Sequence, residues 1–404
     1  MTTQPSVVGT TAHPSVQAVG ADGLRDWALD PGVRHLNHGS FGAVPRPVLA
    51  LRQTLRDEME ANPDAWFREL PGRVARAREG VAAFLRTAPG DLAFVLNASS
   101  GVSAVINSLT LARGSRVLLS DHSYGAVTMG VRRVAARAGA VVDTVRVPLD
   151  ASASDVTERF AHELARPGAP VALVVVDQIT SPTARLFPVA AIVERAHAVG
   201  ARVLVDGAHA PGMLADPLAH AGAADYWTGN LHKWVCAPRG SAALVARGPH
   251  ARELMPLTDS WGATDPFPER FDQQGTQDTT GWLLASASSD YVEQRYGWDA
   301  ARAALTRLAD EAQTLLAGAL DQDLAPVAVN QAPTMRLIPL AARLAVDPEQ
   351  AAALQRRIAH ELRCEVSVTS FGGRGFLRLS AHVYNRPEDY VYLAERLPGF
   401  LRAL

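Results

Sequence analysis

The chain has 404 residues, of which 48% are hydrophobic and 20% charged. This composition is typical of a globular enzyme, and the length predicts one large and one smaller domain. A formal net charge of −2 without a long basic run argues against nucleic acid or an anionic membrane as the partner. The two cysteines, Cys236 and Cys364, are too few for a disulfide framework and lack metal-ligand spacing, so we expect both to be buried by packing.

The first residues carry neither the basic start nor the continuous apolar core of a signal peptide. No later segment is apolar for long enough to span a bilayer. We therefore predict a flexible tail over residues 1–22, followed by a helix-like stretch from Gly23 to Leu29, and a cytoplasmic location without a bound metal.

From about Asp91 to Val245, short runs rich in Val and Leu alternate with stretches of helical periodicity. The runs predicted to be strands begin at Ala93, Arg116, Val141, Val171, Ala201 and Gly240; the predicted helices span 101–111, 125–138, 152–165 and 189–198. This alternation indicates an α/β fold with a mainly parallel, doubly wound sheet, in a large domain over residues 23–298.

After about Asp299 the pattern changes. A long helix over 299–320 leads to TMRLIPL, a helix over 348–362, CEVSVTS, GFLRLS and a final helix from Pro387. Two or three strands with helices on one face predict a smaller α+β domain over residues 299–404.

Polar side chains follow several of the predicted strands. In an open α/β sheet, ligands bind at the carboxyl ends of the strands. Ser99 and Ser100, in NASSGVSAV, lie where a helix N-terminus can approach an anion, although serine is also a common cap. Asp206, in VDGAHAPG, ends a strand, where a carboxylate could hold a protonated pyridine nitrogen or could simply cap a helix.

Lys233, in TGNLHKW, is the only lysine among 39 basic residues, the other 38 being arginines. A GC-rich coding sequence would explain the bias towards arginine but not the one lysine that remains. Arginine replaces lysine as a surface cation but cannot form an imine with an aldehyde, because its guanidinium stays protonated. Lys233 is therefore a candidate for covalent chemistry.

Together, LNHGSFGAVPRPV, DQITSPTA, VDGAHAPG, HKW and RLSAHVYN resemble motifs of the class V aminotransferase family of fold-type I pyridoxal 5'-phosphate (PLP) enzymes. Within that family, the chain is most similar to the isopenicillin N epimerase-like branch. The resemblance runs from about Leu36 to the C-terminus. It implies a PLP cofactor, an amino-acid substrate and a homodimer with shared active sites.

Carried over position by position, the resemblance implies a role for each of the following groups. Lys233 forms the imine with PLP and moves the α-proton, while Asp206 pairs with the pyridine nitrogen and His209 hydrogen-bonds near the ring hydroxyl. The remaining roles are ring stacking by Tyr124, phosphate binding by Ala98, Ser99, Ser100, Asn230 and His232, a phosphate contact from the partner subunit by Gly275 and Thr276, and substrate contacts by Asn37, His38 and Arg378. Arg378 takes the α-carboxylate, which suits its bidentate fork.

Two positions depart from the expected pattern: Gln178 stands where histidine is common, and Asn230 where serine is common. The substrate side chain is not predicted. Arg185, Arg239, Arg374, Trp66 and Trp261 are candidates to line its pocket, although each residue type is more often structural or exposed.

Several reactions remain open. Epimerisation or racemisation comes first and requires proton delivery to both faces of Cα, by Lys233 on one face and by Tyr124 or His38 on the other. β-Elimination from a cysteine-derived substrate comes second and transamination third; a PLP-fold module without turnover is least expected. A persulfide-carrying desulfurase is disfavoured because SFGGRG, shortly before Arg378, contains no cysteine.

Overall fold

The computed structural model of the chain describes residues 18–404, so most of the predicted tail over residues 1–22 lies outside the described residues. The helices are α1 His38–Phe41, α2 Arg46–Ala61, α3 Pro63–Leu85, α4 Ala98–Ser108, α5 Gly125–Ala138, α6 Ala153–Ala165, α7 Val189–His197, α8 Pro217–His220, α9 Pro249–Glu253, α10 Thr280–Leu283, α11 Ala285–Tyr296, α12 Trp298–Leu320, α13 Pro348–Leu362 and α14 Pro387–Arg402. The strands are β1 Arg34–His35, β2 Leu92–Val95, β3 Arg116–Ser120, β4 Val141–Val145, β5 Val171–Asp177, β6 Arg202–Asp206, β7 Tyr226–Asn230, β8 Ala242–Ala246, β9 Met335–Pro339, β10 Cys364–Glu365, β11 Ser367–Phe371 and β12 Arg374–Ser380.

The central sheet has seven strands in the order β2-β8-β7-β6-β5-β3-β4. All of its strands are parallel except β8, which runs antiparallel to both β2 and β7. Val174 and Val176 of β5 pack into one hydrophobic cluster, and Leu173 and Val175 into another. Because side chains alternate along a strand, the sheet is covered on both faces, as the Val-rich runs predict. The predicted α/β fold is confirmed.

The C-terminal part is built on a three-stranded antiparallel sheet in the order β11-β12-β9. The N-terminal segment also packs here, since β1 pairs with β10 and Trp27 is buried in the same hydrophobic cluster as α12 and α14. The chain therefore crosses from the smaller sheet to the large one and back. The boundary at residues 298/299 stays a prediction.

Several local expectations differ from the structure. Residues 23–29 form turns and a β-bridge rather than a helix, and Trp27, with the partly buried Leu24 and Leu29, packs into the hydrophobic cluster of the C-terminal part. Helix α4 begins three residues before the predicted start because the side chain of Asn97 caps it and accepts the Ser100 amide at 2.8 Å. Both cysteines are buried, as expected. In the described part of the chain, no helix is long and apolar enough to cross a membrane.

Gly101 lets helix α4 approach strand β7 closely. A Cβ atom at this position would lie 2.2 Å from Thr228 Oγ1, which is much less than a van der Waals contact. Thr228 is itself fixed, because its hydroxyl donates to the Ala243 carbonyl at 3.0 Å. The N-terminus of α4 is thereby held beside the carboxyl end of β7.

Gly101→Ala is expected to lower the free energy of unfolding by about 1–3 kcal/mol, because the added methyl group forces α4 away from β7. The matched control is Gly130→Ala in α5, where the added Cβ would meet only Ile106 Cδ1 at 3.6 Å. That change should be neutral or stabilise by roughly 0.5–1 kcal/mol, since alanine favours a helix interior. Thermal melts of both variants check this; equal melting temperatures would contradict the close packing.

Candidate active site

Five strand ends converge at one edge of the central sheet. Strands β2, β3, β5, β6 and β7 all present their carboxyl ends to this edge, because β2 and β7 are both antiparallel to β8. Ala98 follows β2, Tyr124 follows β3, and Asp206 and Asn230 end β6 and β7. Lys233 lies in the loop after β7. The topology thus brings together residues that are far apart in the sequence.

The backbone of Lys233 is held by the N-terminal loop. His38 Nε2 lies 3.0 Å from the Lys233 carbonyl oxygen, and because a carbonyl only accepts, Nε2 carries the proton. The other ring nitrogen, Nδ1, accepts from the Tyr384 hydroxyl at 3.1 Å. Gly42 packs against the same loop, since a Cβ at its φ of +70° would lie 2.0 Å from the His232 carbonyl oxygen. Both His38 nitrogens are therefore engaged in fixing the position of the lysine.

The amino group of Lys233 lies 3.3 Å from His209 Nε2. Burial lowers the pKa of Lys233 to about 7, with a further contribution from the positive charge of Arg378, whereas the carboxylate of Asp206 opposes the shift. A large share of the amine is therefore unprotonated near neutral pH. An unprotonated amine is what both imine formation and proton abstraction require.

Asp206 and Asp177 form a buried pair of carboxyls at neighbouring strand ends, in register between β6 and β5. Burial raises the pKa of both groups, and Asp206 raises that of Asp177 further, so that Asp177 lies well above its usual range. The Ala208 amide and Lys233 partly counter the shift at Asp206. Two adjacent buried carboxyls cannot both be charged cheaply, so the pair favours a single negative charge, which Lys233 draws towards Asp206.

The turn after β3 places Tyr124 at the same edge. Its amide donates to Asp177 Oδ1 at 3.3 Å, and its side chain is 44% exposed. The phenol is close enough to Arg378 to raise the pKa of that guanidinium, which burial lowers to about 10 overall. Tyr124 is thus a partly exposed aromatic group within electrostatic reach of the buried arginine.

Arg378 is a buried cation that is held by neutral groups in the described part of the chain. Its guanidinium donates to the Asn37 side chain at 3.2 Å, to Ser40 Oγ at 3.1 Å and to Ser181 Oγ at 3.2 Å. It also contacts the Ser181 carbonyl, and its Nε has no partner among residues 18–404. A buried guanidinium with such partners retains its full charge for a bound anion, and carboxylate is the anion that its fork fits.

The N-terminus of α4 forms a cradle of donors. The Ala98 amide donates to Asn230 Oδ1 at 2.8 Å and the Ser100 amide to Asn97, which leaves the hydroxyl and amide of Ser99 as donors for an anion. His232 Nδ1 donates to the Ser241 carbonyl at 3.0 Å, and burial lowers the pKa of His232 to about 4. Its Nε2 becomes a donor only when the ring is protonated, which a phosphate nearby would favour.

Gly275 and Thr276 lie at the exposed tip of a loop. The loop is anchored at both ends: Asp272 pairs with Arg78 in a buried ion pair, and Asp278 accepts from Arg56 at 2.7 Å. Gly275 has a φ of +82° and only Thr258 within 4 Å of its virtual Cβ. The tip is thus exposed, while both ends of the loop are anchored.

A second polar cluster, formed by His38, Cys236 and His382, lies behind Lys233. These are the three residues in the described part of the chain that could together supply metal ligands. The two imidazoles stack at 3.6 Å with planes only 12° apart. Metal ions bind in the plane of an imidazole, and two parallel planes share no such point. The observed arrangement therefore suits packing of neutral rings rather than metal binding.

The other predicted pocket residues have different positions. Trp66 is buried under the guanidinium of Arg73, and Arg185 is buried with its donors on the Pro148 and Ala151 carbonyls, so both support the fold. Trp261 is 91% exposed. Arg374 contacts Gln322, and Arg239 contacts the Gly42 carbonyl at 3.5 Å. Gln178 is buried and bridges Trp227 and Pro217.

Sequence reasoning missed four residues that the structure brings to the site: Ser40, Ser181, Asp177 and Trp234. Ser40 and Ser181 hold Arg378, Asp177 holds the Tyr124 turn, and the Trp234 indole donates to His209 Nδ1 at 3.4 Å. A signal existed for two of them. Asp177 ends a predicted strand, as Asp206 does, and Trp234 follows Lys233 directly in the sequence.

These groups fit PLP. The site offers a lysine that is partly unprotonated at neutral pH, a buried strand-end carboxylate, donors at a helix N-terminus and a partly exposed aromatic ring. These groups suit, in turn, the aldehyde, the pyridine nitrogen, the phosphate and the ring face of PLP. Arg378 Nε, buried without a partner among the described residues, provides the place for a carboxylate. No group in the described site excludes the cofactor by charge.

Comparison with solved structures supports the fold. A cystine C–S lyase, solved with its reaction product cysteine persulfide, superposes with a TM-score of 0.76 at 19% identity, covering 91% of this chain and 98% of that chain. An apo cysteine desulfurase from Thermococcus onnurineus NA1 gives a TM-score of 0.77 at 18% identity, covering 97% and 100%. At such identities, the likeness concerns the fold alone. Fold and site together define a PLP-dependent enzyme of fold type I.

Sequence comparisons identify the family. The aminotransferase class-V model matches residues 46–393, and the chain belongs to that family. Isopenicillin N epimerase of Streptomyces clavuligerus is 32% identical over 386 residues, which cover 91% of this chain and 95% of that protein. A probable chloroplastic L-cysteine desulfhydrase of Arabidopsis thaliana is 26% identical over 402 residues, covering 92% and 84%. The predicted family and cofactor are confirmed.

Because Lys233 is the only lysine, its protonation can be followed directly by acetylation of the cofactor-free protein and mass spectrometry. We expect the acetylation rate of wild-type protein to titrate with a midpoint near pH 7. Arg378→Gln should raise the midpoint by about 1 pH unit and Asp206→Asn should lower it by about the same, since one removes a repelling and the other an attracting charge.

The matched control is Arg336→Gln, which removes another buried arginine, paired with Asp310 on α12. It should leave the midpoint unchanged. Shifts of the same sign in the Arg378 and Asp206 variants would contradict the electrostatic origin of the lowered pKa.

Proposed function

We propose that this enzyme epimerises or racemises an amino-acid substrate at its α-carbon. The observation that carries the proposal is the placement of two proton-carrying groups, the Lys233 amine and the Tyr124 phenol, within electrostatic reach of the same buried arginine, Arg378. A substrate carboxylate on Arg378 would bring Cα near both. The 32% identity to isopenicillin N epimerase over most of both chains supports the same reaction class.

Each residue is assigned a role consistent with its surroundings. Lys233 would hold the cofactor covalently until the substrate amino group takes its place, and the amine so released would remove the α-proton, which its lowered pKa permits. Asp206 keeps the pyridine nitrogen protonated, and Ser99, with Ala98, Ser100, Asn230 and His232 around it, binds the phosphate. The bound cofactor takes up the electron pair left at Cα. Tyr124 would stack on the ring and return a proton from the side opposite Lys233.

His38 is assigned to positioning rather than to proton transfer. Its two ring nitrogens already bond to the Lys233 carbonyl and the Tyr384 hydroxyl, and burial lowers its pKa to about 3. Protonation of this ring would keep the bond to the Lys233 carbonyl but would prevent Nδ1 from accepting the Tyr384 hydroxyl proton. Tyr124, 44% exposed, is the better candidate for the second proton carrier.

β-Elimination is the second candidate, because L-cysteine desulfhydrases are among the relatives. It needs the same α-proton removal by Lys233 and a leaving group at Cβ. A persulfide-carrying mechanism has less support, since Cys236 and Cys364 are both buried and burial raises the pKa of each thiol. Transamination stays the third candidate. Catalysis rather than a purely structural function follows from the family and the intact site.

Incubation with candidate amino acids in D2O distinguishes these reactions. Epimerisation gives α-deuterated product of inverted configuration, elimination gives a keto acid, and transamination gives a keto acid with aminated cofactor. If every substrate that exchanges deuterium gave a keto acid and none gave product of inverted configuration, the proposed epimerase activity would be overturned.

Tyr124→Phe is expected to slow inversion by about 100-fold or more while lysine-side deuterium exchange with retention continues, because only one of two proton carriers is lost. Chiral chromatography with mass spectrometry separates the two products. Tyr392→Phe, on α14, is the matched control and should behave as wild type. Unchanged inversion in Tyr124→Phe would contradict its role.

We also propose a homodimer in which Gly275 and Thr276 of one subunit contact the phosphate of the other. The anchored loop supports this arrangement, because its tip is exposed. The predicted cytoplasmic location is retained as part of the proposal.

Mixed dimers test the shared site. Lys233→Ala and Thr276→Arg subunits are each expected to fail in covalent cofactor binding at limiting PLP. If Thr276 acts across the interface, each mixed dimer has one site with both intact groups and one site with neither. Because about half of the dimers are mixed after equal subunit exchange, about a quarter of the wild-type sites should be restored. Mass spectrometry of the Lys233 adduct gives the count. No restoration in mixed dimers confirmed by native mass spectrometry would place Thr276 in its own subunit's site or outside it.

A further inference from the structure

Trp234, the residue after Lys233, has its indole directed at His209. Indole Nε1 lies 3.4 Å from His209 Nδ1, and His209 Nε2 lies 3.3 Å from Lys233 Nζ. The imidazole therefore stands between the indole and the amine. Both aromatic side chains are almost fully buried, Trp234 at 2% and His209 at 1% exposure.

The chemistry of these groups determines where the His209 proton lies. An indole N–H can only donate, so Nδ1 must offer its lone pair. A neutral imidazole has one N–H, which is then on Nε2. Burial keeps the ring neutral, with the pKa of His209 well below its usual range and nearby Lys233 and Arg378 adding to the effect. His209 thus presents an N–H donor to Lys233 Nζ, and only an unprotonated amine can accept it.

The indole is not free to turn away. A Cβ on Gly212 would lie 2.8 Å from the Trp234 carbonyl carbon, and one on Gly39 would lie 3.2 Å from Trp234 Cζ2. The His38 ring packs at 5.1 Å from the indole. Backbone and side chain of Trp234 are therefore both enclosed, and the donor keeps its direction.

The same arrangement occurs at the other end of Lys233. There the Tyr384 hydroxyl occupies His38 Nδ1, and His38 Nε2–H donates to the lysine carbonyl. Each of these two histidines thus has its outer nitrogen occupied by a hydrogen bond from an aromatic side chain. In both rings the proton is on Nε2, the nitrogen that faces Lys233.

We infer that Trp234 is a positioning residue that fixes the tautomer of His209 and so directs a hydrogen-bond donor at the Lys233 amine. It acts through His209 rather than by touching substrate or cofactor. The inference rests on the role of Lys233 in the proposed function. Its test, however, follows the protonation of Lys233 without cofactor or substrate, so it fails or succeeds separately from the reaction assigned to the enzyme.

The experiment compares the acetylation rates of Lys233 in cofactor-free wild-type protein and Trp234→Phe. Without the indole donor, the His209 proton can move to Nδ1, and the Nε2 lone pair then stabilises the lysine ammonium. We expect the rate at pH 7 to fall about threefold, the effect of losing one hydrogen bond of ordinary strength. At pH 10 the two rates should agree, because both amines are then unprotonated.

Two variants separate this effect from a loss of packing. Trp282→Phe makes the same chemical change at a buried indole that donates to the Gly240 carbonyl at 2.9 Å, and it should not alter the acetylation rate. In a His209→Leu background, Trp234→Phe should have no further effect, because the group through which it acts is gone. An equal effect of Trp234→Phe in both backgrounds, or none in either, would overturn the inference.

A measurement on wild-type protein keeps the inference testable if the variants are unstable. Nitrogen-15 NMR of histidine-labelled, cofactor-free protein distinguishes protonated from unprotonated ring nitrogens, and His209→Gln assigns the signals. We expect His209 to be protonated at Nε2 and not at Nδ1. Protonation at Nδ1, or a mixture of the two tautomers, would overturn the inference.

Discussion

The site depends on keeping an amine unprotonated beside a permanent cation. Lys233 and Arg378 lie close enough for the guanidinium charge to lower the pKa of the amine, and burial adds the larger part. Arginine cannot give up its proton in a protein, so the lysine does. Arg378 therefore stays charged and can bind a carboxylate. Lys233 can lose its proton, as covalent and acid–base chemistry requires. The carboxylate of Asp206, which in the proposed function also pairs with the pyridine nitrogen, attracts the Lys233 ammonium and limits the lowering of its pKa.

Neutral histidines surround this pair. His38, His209, His232 and His382 all have pKa values lowered chiefly by burial. A protonated ring among them would add positive charge next to Lys233 and Arg378. It would therefore raise the free-energy cost of a positive charge on either side chain. His38, His209 and His232 have their tautomers fixed by aromatic or carbonyl partners and supply directed hydrogen bonds without charge, whereas His382 contacts the Cys236 thiol at 3.4 Å. The stacked rings of His38 and His382 are tolerated for the same reason, because two protonated rings at 3.6 Å would repel.

Epimerisation, elimination and transamination all begin with removal of the α-proton by the same groups. The features that distinguish these reactions lie at the periphery of the site. The buried thiols of Cys236 and Cys364 leave no mobile cysteine to carry sulfur. The step after proton removal depends on which groups reach Cα and Cβ from the open side. That side is bordered by Tyr124 and, in the proposed dimer, by the exposed loop tip at Gly275–Thr276. In the proposed dimer, these exposed groups are the ones that would contact the substrate side chain.

The sequence by itself determined the α/β class and, through its motifs, the cofactor, and it predicted Lys233 as the residue that forms the imine. Val- and Leu-rich strands such as Val171–Asp177 require burial on both faces, and one lysine among arginines has no substitute in imine chemistry. Only the tertiary structure placed Trp27 with the C-terminal sheet, because the hydrophobic pattern around Trp27 does not predict this contact. Only the tertiary structure paired Asp177 with Asp206. It also revealed that Trp234 faces His209. Such contacts join residues far apart in sequence or depend on side-chain direction in a loop, and neither strand period nor helix period encodes them.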